Sequence, residues 1–179
     1  MHFLNNYKLN IINYDLLNKF FYKNSFRLPK IKRINLYFNI PNFENTTMLS
    51  ALTALEIISS QKSKVINSRA SNISLKIKKG SPIGCKINLS KTKKNYFLTK
   101  LLLELNKTEI PKIKKSKNSF VFSFQLKTIL QFPELKYNYQ YFNVLSKLNI
   151  NIITTAASFP EYFFLLKSYK LINANVTQW

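Results

Sequence analysis

The chain has 179 residues, 46% of them hydrophobic, so it can form a packed core and wholesale disorder is excluded. It carries 28 Lys and Arg against 7 Asp and Glu, and this net charge of +21 indicates a polyanionic partner such as nucleic acid. With His2 the only histidine and Cys85 the only cysteine, Ser-His and Cys-His catalysis, an internal disulfide and a cysteine-based zinc site are excluded.

The first half of the chain predicts a helix, a strand and a second helix. Residues 1–13 are rich in asparagine and weakly patterned, and we interpret them as a variable N-terminal arm before a single domain of residues 14–179. Apolar spacing predicts a helix over residues 14–22, and a strand over residues 31–38 follows Pro29. After a loop at residues 41–43, we expect a helix capped by Thr46 or Thr47 that ends near Ser59.

The second half mixes strands and helices without strict alternation. We predict strands over residues 64–66, 73–78, 85–89, 120–124 and 149–155, helices over residues 96–105 and 161–169, and a basic loop over residues 112–117. This order indicates an α+β fold, with an antiparallel sheet packed against helices in a single domain. Phe120, Phe122 and Phe124 are interpreted as a core face of their strand rather than a base-stacking platform, and Cys85 as an apolar core residue.

The two glycines of the chain, Gly80 and Gly84, lie four residues apart in a lysine-rich segment. A chain that otherwise avoids glycine is expected to keep it where φ is positive or where the backbone approaches a partner closely. Pro82 stiffens the same segment, and Lys78 and Lys79 place ammonium groups at its base. The segment is therefore predicted to be a protruding basic loop suited to a phosphate backbone or an RNA groove.

No sequence pattern indicates an enzyme. The seven carboxylates are not spaced as a metal cluster, and the chain lacks both the P-loop and the dinucleotide-binding glycine patterns. The zinc-knuckle and RNA-recognition-motif signatures are absent as well. No apolar run approaches the ~18 residues of a membrane span. We therefore predict a binder of polyanions without catalytic activity, cofactor or membrane partner.

Four segments of the chain, in order and over about residues 15–172, resemble one protein family. The most extensive similarity is QKSKVINSRASNISLKIKKGSPIGCKINL at residues 61–89, which is similar to a family region of the form SGQKP…ITKAR…FKIR-x-G-x-PIG-x-KVTL. The others are LPKI at residues 28–31 with Ile34 and Leu36, FPE at residues 132–134, and LNINIITTA at residues 148–156. Together they identify the chain as a member of the bacterial-type large-subunit ribosomal protein family called "L five".

The resemblance implies a structural protein in the central protuberance of the large ribosomal subunit. Its expected partners are 5S rRNA or equivalent large-subunit rRNA, neighbouring large-subunit proteins, P-site tRNA and a small-subunit protein at an intersubunit bridge. The resemblance places the tRNA-facing loop at residues 76–84 and a 5S rRNA surface near Gln61 and Arg69. The RNA-binding residues so predicted are Tyr37, Gln61, Lys62, Lys64, Arg69, Lys76, Lys78, Lys79, Gly80, Ser81, Pro82, Gly84, Lys86 and Asn88.

The chain departs from the family pattern at positions that the resemblance places near RNA. Tyr37 stands where the family has asparagine, Asn39 where it has glycine and Asn88 where it often has threonine. A glycine-rich stretch of the family is replaced by the residues KNSF at 117–120. These departures predict an altered RNA surface.

The composition also suggests where the protein works. Lys, Asn, Ile, Phe and Tyr are abundant while Gly, Ala and Arg are scarce, as AT-rich codons produce. The N-terminal residues lack the features of a signal or transit peptide, so we expect an organelle-encoded protein of the mitochondrial matrix ribosome. A plastid or an AT-rich bacterial cytoplasm is the alternative location, and a free-standing RNA-binding protein or RNA chaperone is the alternative function.

Overall fold

The computed structural model describes residues 3–40, 44–75, 77–104, 112–116, 119–145 and 147–172. Its strands are β1 (Ile31–Asn39), β2 (Lys64–Asn67), β3 (Pro82–Leu89), β4 (Lys112–Ser116), β5 (Ser119–Leu126) and β6 (Leu148–Thr154). Its α-helices are α1 (Phe3–Tyr7), α2 (Asn13–Lys19), α3 (Asn45–Ser59), α4 (Lys91–Glu104), α5 (Pro133–Lys136), α6 (Tyr139–Phe142) and α7 (Phe159–Ser168). A π-helical turn, Lys8–Ile12, joins α1 to α2, and 3-10 turns cover Ser25–Arg27 and Ile129–Gln131.

Within the described ranges, six strands form one sheet in the order β2-β3-β1-β6-β5-β4. The two outer pairs, β2-β3 and β4-β5, are antiparallel. The predicted α+β class with an antiparallel sheet and helices is confirmed. None of the helices in the described ranges is both long and apolar enough to cross a bilayer.

The residues group into two compact units, the first made of Met1–Ile34, Ser90–Phe124 and Asn151–Trp179. Its core contains Tyr162 of α7, which stacks on Phe120 of β5 with 5.0 Å between ring centroids. The buried hydroxyl of Thr154 donates a hydrogen bond of 3.0 Å to the carbonyl oxygen of Phe120. The phenylalanines of β5 are therefore core residues, as predicted, because Phe120, Phe122 and Phe124 are all at most 5% exposed.

The second unit consists of Asn35–Leu89 and Gln125–Ile150, and α3 packs against β3 inside it. The buried positions of α3 are Met48, Ala51, Ala54, Leu55, Ile58 and Ser59. Alternation along β3 buries Cys85, Ile87 and Leu89 while Lys86 and Asn88 stay exposed. Because side chains alternate between the faces of a strand, one face of β3 is core and the other carries polar groups to solvent.

The two glycines are used for two different physical reasons. Gly80 has a φ of +87°, a left-handed conformation that a side chain disfavours, and its missing side chain faces open space. Gly84 lies in β3, where a Cβ atom would overlap the carbonyl oxygen of Phe38 in β1. Gly84 therefore permits a close backbone approach, while Gly80 permits a turn.

The N-terminal residues form helix from Phe3 onward. Leu4 and Ile12 are buried, and α1 contacts α4. Helical backbone continues through Asn13, where φ is −65° and ψ is −40°. The predicted helix of residues 14–22 is shorter than expected, since α2 ends at Lys19 and Phe20 is extended. The predicted division into a variable N-terminal arm of residues 1–13 and a single domain of residues 14–179 stays a prediction.

Two of the predicted elements are wrong. Residues 73–78 were expected to be a half-buried strand, but residues 73–75 form a turn in which Ile73 is 93% exposed, and Ile77 forms only an isolated bridge with Asn72. Residues 112–117 were expected to be a basic loop, but Lys112–Ser116 form β4, paired with β5. In both cases the alternation or charge of the segment was misleading, because pairing with a neighbouring strand decides whether an extended segment joins the sheet.

Three further expectations need adjustment. The N-cap of α3 is Glu44 rather than Thr46 or Thr47, and the Thr47 hydroxyl instead donates to the Glu44 carbonyl oxygen at 2.9 Å. Strand β3 begins at Pro82, so Pro82 and Gly84 belong to the sheet and not to the loop. Helix α4 begins at Lys91, five residues earlier than predicted. The predicted loop at residues 41–43 lies outside the described residues, as do Leu105, Lys117 and Asn118.

The two glycines predict different costs of substitution. Gly84→Ala should lower the free energy of unfolding by about 3 kcal/mol, because the new methyl group must push β1 and β3 apart. Gly80→Ala is the matched control and should cost only ~1 kcal/mol, the price of a side chain at positive φ with no steric overlap. Urea unfolding of both variants measures the difference, and equal losses would contradict the close approach at Gly84.

Candidate nucleic-acid interface

Two lysines face each other across the β2-β3 pair. Lys64 is paired directly with Lys86 in the antiparallel register, and both are exposed. Directly opposite residues share one face of a sheet, and like charges at such positions repel each other. The repulsion makes this face, which also carries Asn88, favourable for an anion that lies between the two ammonium groups.

The segment between α3 and β2 is held in place beside this face. Helix α3 ends at Ser60, whose φ of 53° is left-handed. The Glu56 carboxylate then accepts hydrogen bonds from the Ser63 backbone N–H at 2.8 Å and from the Ser63 hydroxyl at 2.9 Å. These bonds lower the pKa of Glu56, with a smaller contribution from the charge of Lys62. The side chain of Lys62 itself is exposed.

Gln61 connects the same segment to β3. Its amide Nε2 donates a hydrogen bond of 3.3 Å to the backbone carbonyl oxygen of Asn88. The side chain of Asn88 remains exposed. One surface, which we call the hairpin face, therefore brings together four residues that were predicted from separate parts of the motif. They are Gln61, Lys64, Lys86 and Asn88.

The loop that joins β2 to β3 is closed by backbone hydrogen bonds. Ser68 donates to the Ser81 carbonyl oxygen at 2.8 Å, and Gly80 donates to the Ser68 carbonyl oxygen at 3.0 Å. The Ser81 hydroxyl and backbone N–H both donate to the Lys78 carbonyl oxygen, at 2.6 Å and 3.1 Å. Because its backbone groups are paired in this way, the base of the loop has a defined shape.

The charged residues of this loop point to solvent. Arg69, Lys78 and Lys79 are all exposed, and the apolar side chains of Ile73 and Leu75 are 93% and 62% exposed. Lys76, also predicted to bind RNA, lies outside the described residues. The loop thus combines cations at its base with exposed apolar groups near its tip.

Tyr37, another of the predicted RNA-binding residues, lies in β1. It is half-buried, next to Phe38, whose backbone meets Gly84. Its carbonyl oxygen accepts a hydrogen bond of 3.4 Å from Asn149 Nδ2, and Asn149 Oδ1 accepts one of 2.7 Å from Gln125 Nε2. This network stabilises the polar side of β1, β6 and β5, and sequence reasoning missed it because its members are far apart in the chain.

Two features of the described residues concern metal binding and thiol chemistry. The described part of the chain contains no group of three His, Cys, Asp or Glu residues that could hold a metal ion. Cys85 is fully buried, and burial raises the pKa of its thiol to about 12, so the thiol is unreactive. The interpretation of Cys85 as an apolar core residue is confirmed.

A second group of basic residues, absent from the predicted site, lies in the first unit. Lys94 of α4 donates a hydrogen bond of 2.7 Å to the Ile31 carbonyl oxygen. Burial and the charges of Lys8 and Lys30 lower the pKa of Lys94, and burial and Lys30 lower that of Lys8. Sequence reasoning could not find this group because its members are 22 and 64 residues apart.

No family model matches the chain, but comparison with known proteins finds relatives that share one family name. It is 32% identical over 171 residues to "Large ribosomal subunit protein uL5m" of Reclinomonas americana, covering 90% of this chain and 92% of the relative. It is 35% identical over 163 residues to "Large ribosomal subunit protein uL5c" of Euglena gracilis, covering 85% and 87%. It is 30% identical over 174 residues to "Large ribosomal subunit protein uL5" of Blochmanniella floridana, covering 92% and 88%.

These relatives include mitochondrial, chloroplast and bacterial proteins, and each is matched over nearly its whole length. They are structural ribosomal proteins and not enzymes, which agrees with the prediction from the sequence. The chain belongs to the uL5 family of large-ribosomal-subunit proteins.

Proposed function

We propose that this protein binds 5S rRNA, or the equivalent large-subunit rRNA, in the central protuberance through the hairpin face. The observation that carries the proposal is the exposed pair of Lys64 and Lys86, directly opposite each other beside Asn88. A phosphate between two ammonium groups relieves their repulsion and releases condensed counterions. Lysine is a compact point charge, so such contacts favour attachment to the RNA backbone over the reading of particular bases.

The β2-β3 loop is proposed to contact the elbow of P-site tRNA and to contribute to a bridge with a small-subunit protein. Its base is closed by hydrogen bonds between Ser68, Gly80 and Ser81, so Lys78 and Lys79 are held on a defined turn rather than on a free chain. A cation on an ordered loop loses less conformational entropy when it binds a phosphate. This supports Lys78, Lys79 and Arg69 as contacts with RNA.

The ribosome in question is proposed to be mitochondrial and the gene organellar. The AT-rich composition supports an organellar genome, and the relatives include a mitochondrial uL5m. The chloroplast and bacterial relatives keep the plastid and an AT-rich bacterium as the alternatives. Sedimentation of the protein with the ribosomes of purified organelles would distinguish these locations.

The direct test of the proposed function is crosslinking of the protein in its native particle, followed by sequencing of the attached RNA. Recovery of 5S rRNA or of the large-subunit rRNA of the central protuberance would support the proposal. Scattered messenger RNAs without rRNA, and no sedimentation with the large subunit, would instead indicate a free-standing RNA chaperone.

Removal of the paired charges should weaken RNA binding. The double substitution Lys64→Gln, Lys86→Gln is expected to lower the affinity for purified large-subunit rRNA about tenfold at low salt. The slope of log affinity against log salt should fall by about the value for one phosphate contact. The control is Lys136→Gln with Lys147→Gln, which removes the same charge from exposed positions of the same unit. Filter binding over a salt series measures both, and equal losses in the two variants would contradict a localised site.

A charge reversal in the loop should affect tRNA contact without affecting the fold. Lys78→Glu is expected to weaken P-site tRNA binding several-fold in reconstituted ribosomes, because a carboxylate would replace an exposed cation beside a phosphate. Its thermal unfolding should match that of the unmodified protein, since only the backbone carbonyl of Lys78 is bonded within the loop. Lys136→Glu is the control, and normal tRNA binding by the Lys78→Glu variant would rule out the loop assignment.

A further inference from the structure

Three lysines from distant parts of the chain lie in the first unit, near enough for their charges to act on one another. Lys8 lies in the π-helical turn after α1, Lys30 immediately precedes β1, and Lys94 lies in the first turns of α4. Each of the three is held by its own element, so their approach is a product of the fold and not of local sequence. We call this group the lysine cluster.

The backbone around the cluster is well anchored. Lys30 and Thr155 exchange hydrogen bonds, with the Thr155 backbone N–H donating to the Lys30 carbonyl oxygen at 2.9 Å and the Lys30 N–H donating to the Thr155 hydroxyl at 3.0 Å. Lys94 Nζ donates to the carbonyl oxygen of Ile31, the residue after Lys30, at 2.7 Å. Lys94 is therefore fixed at the start of β1, close to Lys30.

The electrostatics of the cluster are unfavourable in the free protein. Lys8 and Lys94 are half-buried, and each has its pKa lowered by burial and by the neighbouring lysine charges. In the described part of the chain, the structure records no carboxylate paired with Lys8 or Lys94. Cations gathered out of solvent without an anion are costly, so a group of this kind is suited to an anion that arrives from outside.

We propose that Lys8, Lys30 and Lys94 form a second RNA-backbone site, in which the three ammonium groups surround one phosphate of the rRNA. Lys94 can keep its bond to the Ile31 carbonyl oxygen, because an ammonium group has three donors and only one is used there. The inference rests on the proposed rRNA-binding function, and it adds a point of attachment in the unit that does not contain the hairpin face.

A phosphate fits this cluster better than a carboxylate of a partner protein. A backbone phosphate carries its charge on two non-bridging oxygens of a tetrahedral group, and the neighbouring phosphates of the strand add further negative charge near the cluster, whereas a side-chain carboxylate is a single planar group. The chain as a whole carries a net charge of +21, so its surroundings in a ribonucleoprotein must be predominantly anionic. Occupation by an acidic protein segment is the outcome that would overturn the proposal.

The test compares two full-length variants in binding to purified large-subunit rRNA over a series of salt concentrations. Lys8→Gln with Lys94→Gln should bind about tenfold more weakly at low salt, and the slope of log affinity against log salt should fall by about 0.9, the value for one phosphate contact. Lys23→Gln with Lys167→Gln removes the same charge from exposed positions of the same unit and should change both quantities much less. Equal changes in the two variants, or none in the first, would overturn the proposal.

Thermal unfolding of the variant and the chemical labelling of lysines in the native particle give two independent measurements. The melting temperature of the Lys8→Gln, Lys94→Gln variant should equal or exceed that of the unmodified protein, because repulsion between half-buried cations is removed. If that variant does not fold, the variant Lys30→Gln, at an exposed position, replaces it in the salt series.

In the native particle, Lys8 and Lys94 should resist an amine-reactive reagent until ribonuclease removes the RNA. Protection that persists after ribonuclease treatment would mean a protein partner and would overturn the phosphate assignment.

The two proposals fail in different ways. If unmodified protein binds no rRNA, the proposed function itself is wrong. If the Lys64→Gln, Lys86→Gln variant loses affinity while the cluster variant does not, the hairpin face stands and only the lysine cluster is refuted.

Discussion

The close approach of β3 to β1 at Gly84 is the contact on which the candidate site depends. A side chain at this position would overlap the Phe38 carbonyl oxygen, so the two backbones can meet only at a glycine. The approach brings β1, with Tyr37 next to Phe38, against one edge of β3, and the other edge of β3 pairs with β2, where Lys86 faces Lys64. Burial of Cys85, Ile87 and Leu89 on the other face determines which residues of β3 reach solvent.

Charge without compensation is the second constraint. The chain has 28 basic residues and only 7 carboxylates, so there are four cations for each acidic side chain. In the hairpin face the result is an exposed pair of like charges, and in the lysine cluster it is the half-buried Lys8 and Lys94 beside the exposed Lys30. Two of the described carboxylates are used for local order. Glu56 holds Ser63, and Glu161 accepts from Ser158 in the capping box of α7.

The sequence was most informative where local pattern and tertiary environment agree. The strand Ile31–Asn39, the helix Asn45–Ser59 and the phenylalanine face of Ser119–Leu126 follow from apolar periodicity, because burial of that apolar face drives their formation. The pattern was misleading at residues 73–78 and 112–116, since the first alternates without a strand to pair with and the second pairs despite its lysines. The short helices α5 and α6 carry too few residues for a periodic signal, and sequence reasoning missed them.

By itself the sequence determined the α+β class, the family, the absence of catalytic machinery and the basic motif of residues 61–89, because each is a property of composition or of residues close together in the chain. The tertiary structure alone decided which face of β3 is polar, why each glycine is needed, and that Lys94 reaches the backbone beside Lys30. These features depend on strand register and on contacts between distant segments, and neither can be read from local pattern.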